Sequence, residues 1–197
     1  MWFRAALVCC ALTFLLHLTV LVSSGSDPVA TPISALSRGP WGLLHTVGLA
    51  LFGVSHLCLA IGLSSLDRGR LWPFARAFLG AGAFLLFYVA YYFATASDST
   101  LVGADANDPL WLVASLTGLA MGALQPGLSR ISRRLGLFST VCLGIWLWLI
   151  PLILLVNDGW LGAYERIVGS VYIAWIAGVA YCLIRVVRES PLRKSPS

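Results

Sequence analysis

Six stretches of the chain run apolar almost without interruption: Trp2–Ser23, Trp41–Leu66, Phe74–Ala96, Leu110–Leu128, Leu137–Val156 and Gly162–Ile184. Charges, prolines and Ser/Asp/Gly clusters collect in the segments between them. A helix rises 1.5 Å per residue, so crossing a hydrocarbon core of roughly 30 Å takes about 20 mostly apolar residues. The six runs have that length. They also lack the in-and-out alternation that a barrel strand of about 10 residues would show. The pattern predicts an all-α, polytopic membrane protein with six transmembrane helices in one bundle over 1–186 and a basic tail over 187–197.

Composition adds an exclusion. The 197 residues are 59% apolar and 11% charged, with mean hydropathy +0.88, against roughly 45–50% and about 25% in soluble domains. Too few polar side chains remain to cover a water-exposed surface, so lipid is the expected solvent for most of the chain.

Charge then sets the expected orientation. Arg4, Arg68, Arg70, Arg76, Arg130, Arg133, Arg134, Arg185, Arg188, Arg193 and Lys194, eleven of the thirteen basic residues, fall on one side of the six spans. Basic residues in short loops stay in the cytoplasm, which places both termini there and makes the plasma (inner) membrane the expected location. Arg38 and Arg166 fall on the outer side with six of the eight acids: Asp27, Asp98, Asp105, Asp108, Asp158 and Glu165. Twelve arginines against one lysine, in an Ala/Gly/Leu-rich chain, point to a GC-rich bacterial genome.

Tryptophan and tyrosine favour the headgroup level, where the ring is buried and the N–H or O–H stays wet. Trp2 and Trp72 are expected to mark the inner edge, Trp41, Trp111 and Trp160 the outer, with Tyr88, Tyr91 and Tyr92 at the outer end of the third helix. The first span resembles a signal peptide in its Arg4 and its Val22-Ser23-Ser24, but its apolar stretch from Ala5 to Val22 exceeds the usual 7–15-residue signal core, so a retained helix is expected. Cys9, Cys10, Cys58, Cys142 and Cys182 fit neither a zinc spacing nor an extracellular disulfide and read as small packing residues. Gly118-x-x-x-Gly122 with Ser115, and Ser170, Ala174 and Gly178, are small residues at helical spacing, expected to let helices approach within the molecule. Pro151 predicts a kink in the fifth helix. The tail after Ile184 carries basic charge able to hold anionic headgroups, although topology alone accounts for it.

Polar groups inside a span are expensive and mark candidate sites. His17 and His45 lie at matching depths below the outer ends of the first two helices, and His56 follows three turns below His45. Glu165 and Arg166 open the last helix, where the helix dipole favours the glutamate and disfavours the arginine, so Arg166 should have a compensating partner, with Asp27, Asp98, Asp105, Asp108 and Asp158 as candidates. The loop Ser24–Pro40, with Asp27-Pro28, Thr31-Pro32 and Gly39-Pro40, has the composition of an ordered turn-rich segment. The expectation is a loop folded over the mouth of the bundle, tied by Arg166 with His45 beneath. Asp27, His17, His45, Glu165 and Arg166 form this candidate outer polar cluster.

No hydrolase elbow, zincin helix, P-loop or dinucleotide fingerprint is present, so no enzyme activity and no cofactor are expected. The formal charge of +5 is accounted for by loop arginines, and nucleic acid is not an expected partner. Six short-looped helices, the first-loop segment Asp27 to Leu36, the Gly39-Pro40-Trp41 opening of the second helix and the Glu165-Arg166-Ile167 opening of the last resemble the family catalogued as domain of unknown function nine-hundred-ninety-eight. That resemblance implies a six-helix integral membrane protein of unassigned activity. It also implies a histidine near the start of the fourth helix, where this chain has Asn107-Asp108-Pro109-Leu110-Trp111. Three readings follow: a non-enzymatic membrane protein acting on lipid or on a partner protein, including a second copy of itself; a carrier or channel for a small solute; and a haem- or quinone-linked redox protein using His17 and His45.

Overall fold

The computed structural model describes residues 1–66, 69–95, 107–157 and 159–189. Its elements are α1 (Trp2–Ser24), a short 3-10 helix η1 (Ile33–Arg38), α2 (Gly42–Ser64), α3 (Trp72–Thr95), α4 (Asn107–Ile131), α5 (Arg133–Leu152) and α6 (Leu161–Glu189), with no strand among the described residues. All six α-helices are long and apolar enough to span a membrane. The protein is a multi-pass membrane protein of six transmembrane helices, as the apolar runs predict.

Successive helices pack as antiparallel neighbours from α1 round to α6, and α6 closes the ring against α1. Met1, Phe3 and Arg4 lie beside Ile184, Val187 and Arg188, so both termini share one end of the bundle. The loop between α1 and α2 lies at the other end. The α2 helix is the most enclosed of the six and α1 and α5 the least, their large apolar side chains facing outward as lipid requires. Gly25 ends α1 in the left-handed conformation, φ 62°, that releases the chain into the loop.

Small residues work as expected. Gly118 lies under the Trp146 ring and Gly178 under the Phe138 ring, both on α5, so these glycines serve packing within the chain. Buried polar side chains are bonded across the helices: Trp175 Nε1 donates to Ser139 Oγ at 3.0 Å, and the His56 Nε2 edge meets Thr117 Oγ1 at 3.3 Å while its Nδ1 edge meets Phe52 O at 2.9 Å. A hydrogen bond is the condition for burying such groups in an apolar interior.

Three expectations are corrected. The α5 helix spans Arg133–Leu152 rather than 137–156, because Ser132 alone, extended at φ −156° and ψ 127°, separates it from α4. Pro151 lies in its last turn and ends the helix instead of kinking its middle; the next residues turn to i−3 bonds, Ile153 N–H to Ile150 O and Leu154 N–H to Pro151 O. Trp72 is no interface anchor. It is 1% exposed, its Nε1 donates to Leu63 O at 2.9 Å, and its ring lies against Gly127 of α4. Trp2, Trp41 and Trp160 remain exposed as an interfacial belt requires. The basic tail beyond Glu189, with Arg193 and Lys194, lies outside the described residues, as do Arg68, Asp98, Asp105 and Asp158.

Candidate functional site

Between α1, α2, α4 and α6, under the first loop, lies a cavity of about 280 Å³. Most of its wall is apolar, with the side chains of Leu49, Phe52 and Leu86 at its floor, and His17, His45, Glu165 and Arg166 are its imidazole, carboxylate and guanidinium members. Helix geometry gathers these four. His17 is one and a half to two turns from the end of α1, His45 sits in the first turn of α2, and Glu165 and Arg166 follow the first turn of α6, so all occupy the same level of the bundle. The His17 and His45 rings are 6.0 Å apart between centroids, tilted by 54°, and Phe93 stands 6.3 Å beyond His45.

The loop is fastened over this cavity by α6. Arg166 Nη1 donates to Pro28 O at 2.9 Å and to Thr31 O at 2.8 Å, Glu165 Oε2 accepts the Ile33 N–H at 2.6 Å, and the Ala163 N–H donates to Val29 O at 2.9 Å. The expected tie therefore exists, and backbone carbonyls carry its hydrogen bonds, because turns at Pro28 and Thr31 aim their carbonyl groups at Arg166. Of the candidate aspartates, Asp27 attracts Arg166 through its charge while also capping its own turn, its Oδ1 accepting the Val29 N–H at 2.8 Å. Asp98, Asp105 and Asp158 lie outside the described residues. The loop approaches α6 so closely that a Cβ on Gly162 would overlap Thr31 O, and one on Gly42 would overlap Ser37 O. Glycine at these two positions lets the cap seat on the bundle.

Polar satisfaction divides the site in two. Among the described residues, five buried side-chain nitrogens have no hydrogen-bond partner: His17 Nε2, His45 Nε2, Arg166 Nε, Arg166 Nη2 and, near the opposite end of the bundle, Arg76 Nε. Four of the five thus surround one cavity. Buried polar atoms are otherwise paired almost throughout proteins, and a cluster of unpaired ones needs an explanation.

The cavity also reaches the outside of the bundle. Phe14 and Leu18 of α1 line it while 48% and 45% exposed, and Ser170 of α6 lines it and is exposed too. The opening is therefore the seam between α1 and α6, at membrane depth. Gly169 beside it faces open space, with nothing within 4 Å of a Cβ built there.

His17 and His45 are brought together as their depths predict, whereas His56 does not line the cavity and has both ring nitrogens partnered. A macrocycle held between His17 and His45 would need a slot between α1 and α2. That seam is closed one turn away, where Thr13 Oγ1 donates to Gly48 O at 3.2 Å, so the pair does not fit a haem. Sequence reasoning missed Gly169 and Tyr172 of the lining. Tyr172 donates its hydroxyl to Ala114 O at 3.0 Å and accepts from Trp146 Nε1, and it reads in sequence as one more apolar-run aromatic.

No curated protein and no solved structure matches this chain. The family model described as protein of unknown function (DUF998) matches residues 4–181, which include all five cluster residues and every helix in whole or large part. The chain belongs to the DUF998 family of proteins of unknown function, and its six apolar helices make it an integral membrane protein.

Proposed function

We propose that the protein is a non-enzymatic plasma-membrane protein, with both termini in the cytoplasm and the cap on the outer face, that takes the apolar chain of a membrane lipid into its cavity. One observation carries this reading: an apolar cavity inside the bundle opens sideways, between α1 and α6, at the depth of acyl chains rather than into water. A solute from water would meet the cap instead, which is closed by four hydrogen bonds. Arginines concentrated at the end that holds both termini support the orientation. A bacterial source fits the composition.

Filling the cavity tests the reading. Gly169→Trp places a large ring in open space beside the seam, whereas Gly144→Trp, also in open space but on α5 away from the cavity, does not. The chain purified into phosphatidylcholine nanodiscs and released in native mass spectrometry is expected to carry a lipid adduct, absent from Gly169→Trp and retained by Gly144→Trp. Equal adduct occupancy in all three proteins would reject the cavity as the binding site.

A further inference from the structure

The lipid cavity has a polar end, where Glu165 is one carboxylate among the donors of Arg166, His17 and His45. Arg166 uses Nη1 for the cap, and leaves Nε and Nη2 buried without partners among the described residues. Those two nitrogens form the side-on edge of the guanidinium, whose parallel N–H groups match the two oxygens of a carboxylate or phosphate. His45 is 3% exposed and His17 stands against it, each with an unpartnered Nε2 and each on the cavity wall. The neighbouring carboxylate does not fill the role. Glu165 has turned its Oε2 to the Ile33 N–H of the cap. What remains is a fork of donors and two imidazole edges at the head of an apolar chamber. An acceptor-only group fits it, since a carboxylate or phosphate offers lone pairs and demands no acceptor in return.

From this we infer that the cavity selects amphiphiles with an anionic oxygen headgroup, carboxylate or phosphate, which Arg166 grips through Nε and Nη2 and which His17 and His45 flank. The inference rests on the lipid-cavity reading and adds the headgroup to it. The apolar chain lies toward Phe52 and Leu86, and any length beyond the chamber leaves through the α1–α6 seam.

The test uses the full chain in phosphatidylcholine nanodiscs, titrated with dodecanoate, its methyl ester and dodecyl phosphate, with bound ligand counted by native mass spectrometry. The methyl ester keeps the chain and a carbonyl acceptor, and replaces the charge of dodecanoate with a methyl group. An anion is expected to bind about tenfold more tightly than the ester, the difference between a charge-assisted and a neutral hydrogen-bonded contact. Whether dodecanoate or dodecyl phosphate is the tighter of the two assigns the headgroup to a free carboxylate or to a phosphate. Arg166→Gln keeps an amide donor for the cap carbonyls and removes the fork, and His45→Phe keeps ring volume and removes the imidazole edge. Each is expected to lose the preference for the anion while still binding the ester, so that the ratio of the two ligands separates recognition from folding. Equal binding of anion and ester by the wild type, or a preference that survives both substitutions, would overturn the anionic headgroup and leave the lipid cavity standing. Failure of all three amphiphiles to bind the wild type would overturn both.

Discussion

Replacing Arg166 with alanine is expected to lower the melting temperature of the detergent-solubilised protein by about 4–8 °C, because it removes about 2 kcal/mol of half-exposed, charge-assisted bonding, at about 2–4 °C per kcal/mol for a chain of this size. The energy lies in the two bonds from Nη1 to Pro28 O and Thr31 O, which bridge chain segments more than 130 residues apart. An arginine near a helix N-terminus is electrostatically misplaced by a few tenths to about 1 kcal/mol, so its retention there without the tie would only cost stability. Gly162→Ala should give the same result from the opposite direction, since its methyl would overlap Thr31 O and lift the carbonyl that Arg166 holds. In both variants limited proteolysis is expected to cut between Gly25 and Trp41 sooner than in the wild type. Wild-type melting together with wild-type protection of that segment would show that the loop is held by something else.

The second large effect is expected in the half of the bundle that holds both termini. Trp72 cannot turn away from an added side chain at position 127: its ring is buried, its Nε1 is bonded to Leu63 O, and a Cβ on Gly127 would already overlap it. Gly127→Val should therefore cost about 3 kcal/mol, at the upper end of overpacking, seen as a melting temperature lower by about 6–12 °C. Trp72→Leu alone leaves a void and should cost a comparable amount. In the double variant the valine occupies space that the indole vacated. The pair should lose less than the sum of the single changes by about 1–3 kcal/mol, the signature of direct contact. Additive losses would mean that α3 and α4 do not meet through these residues.

These two cases show how differently sequence speaks about the two halves of the protein. The spans were legible because lipid forces every crossing segment to be long, apolar and helical, and α1, α2 and α6 begin within a residue of the runs that predict them. The α4–α5 junction was not, because one extended residue, Ser132, suffices to turn the chain and arginines in the first turn of α5 can reach water without ending the helix. Trp72 was misread for a related reason. An indole near a span edge satisfies its N–H equally well at the headgroups or on a neighbouring helix carbonyl, and only the position of Gly127, over fifty residues away, decides between them.

The candidate site was half legible. Arg166 stood out because positive charge on that side served no topological purpose, and His17 and His45 because their depths matched. The carbonyl partners of Arg166 could not be read, since a backbone carbonyl has no sequence signature. The chamber itself was invisible too. It is made of ordinary apolar side chains and of two missing ones, Gly48 and Gly169, and the open space at Gly169 depends on what the other helices fail to place opposite it.

Photolabelling tests the lipid cavity most directly. A dodecanoate carrying a diazirine at the end of its chain, irradiated with the protein in phosphatidylcholine nanodiscs, is expected to label the far end of the chamber and the seam, at Thr13 and Phe14 of α1, Phe52 of α2 and residues 169–173 of α6, and to lose that labelling in Gly169→Trp. Labelling confined to the outward belt, such as Trp148, Leu154 and Leu155, and unchanged by Gly169→Trp, would contradict the account.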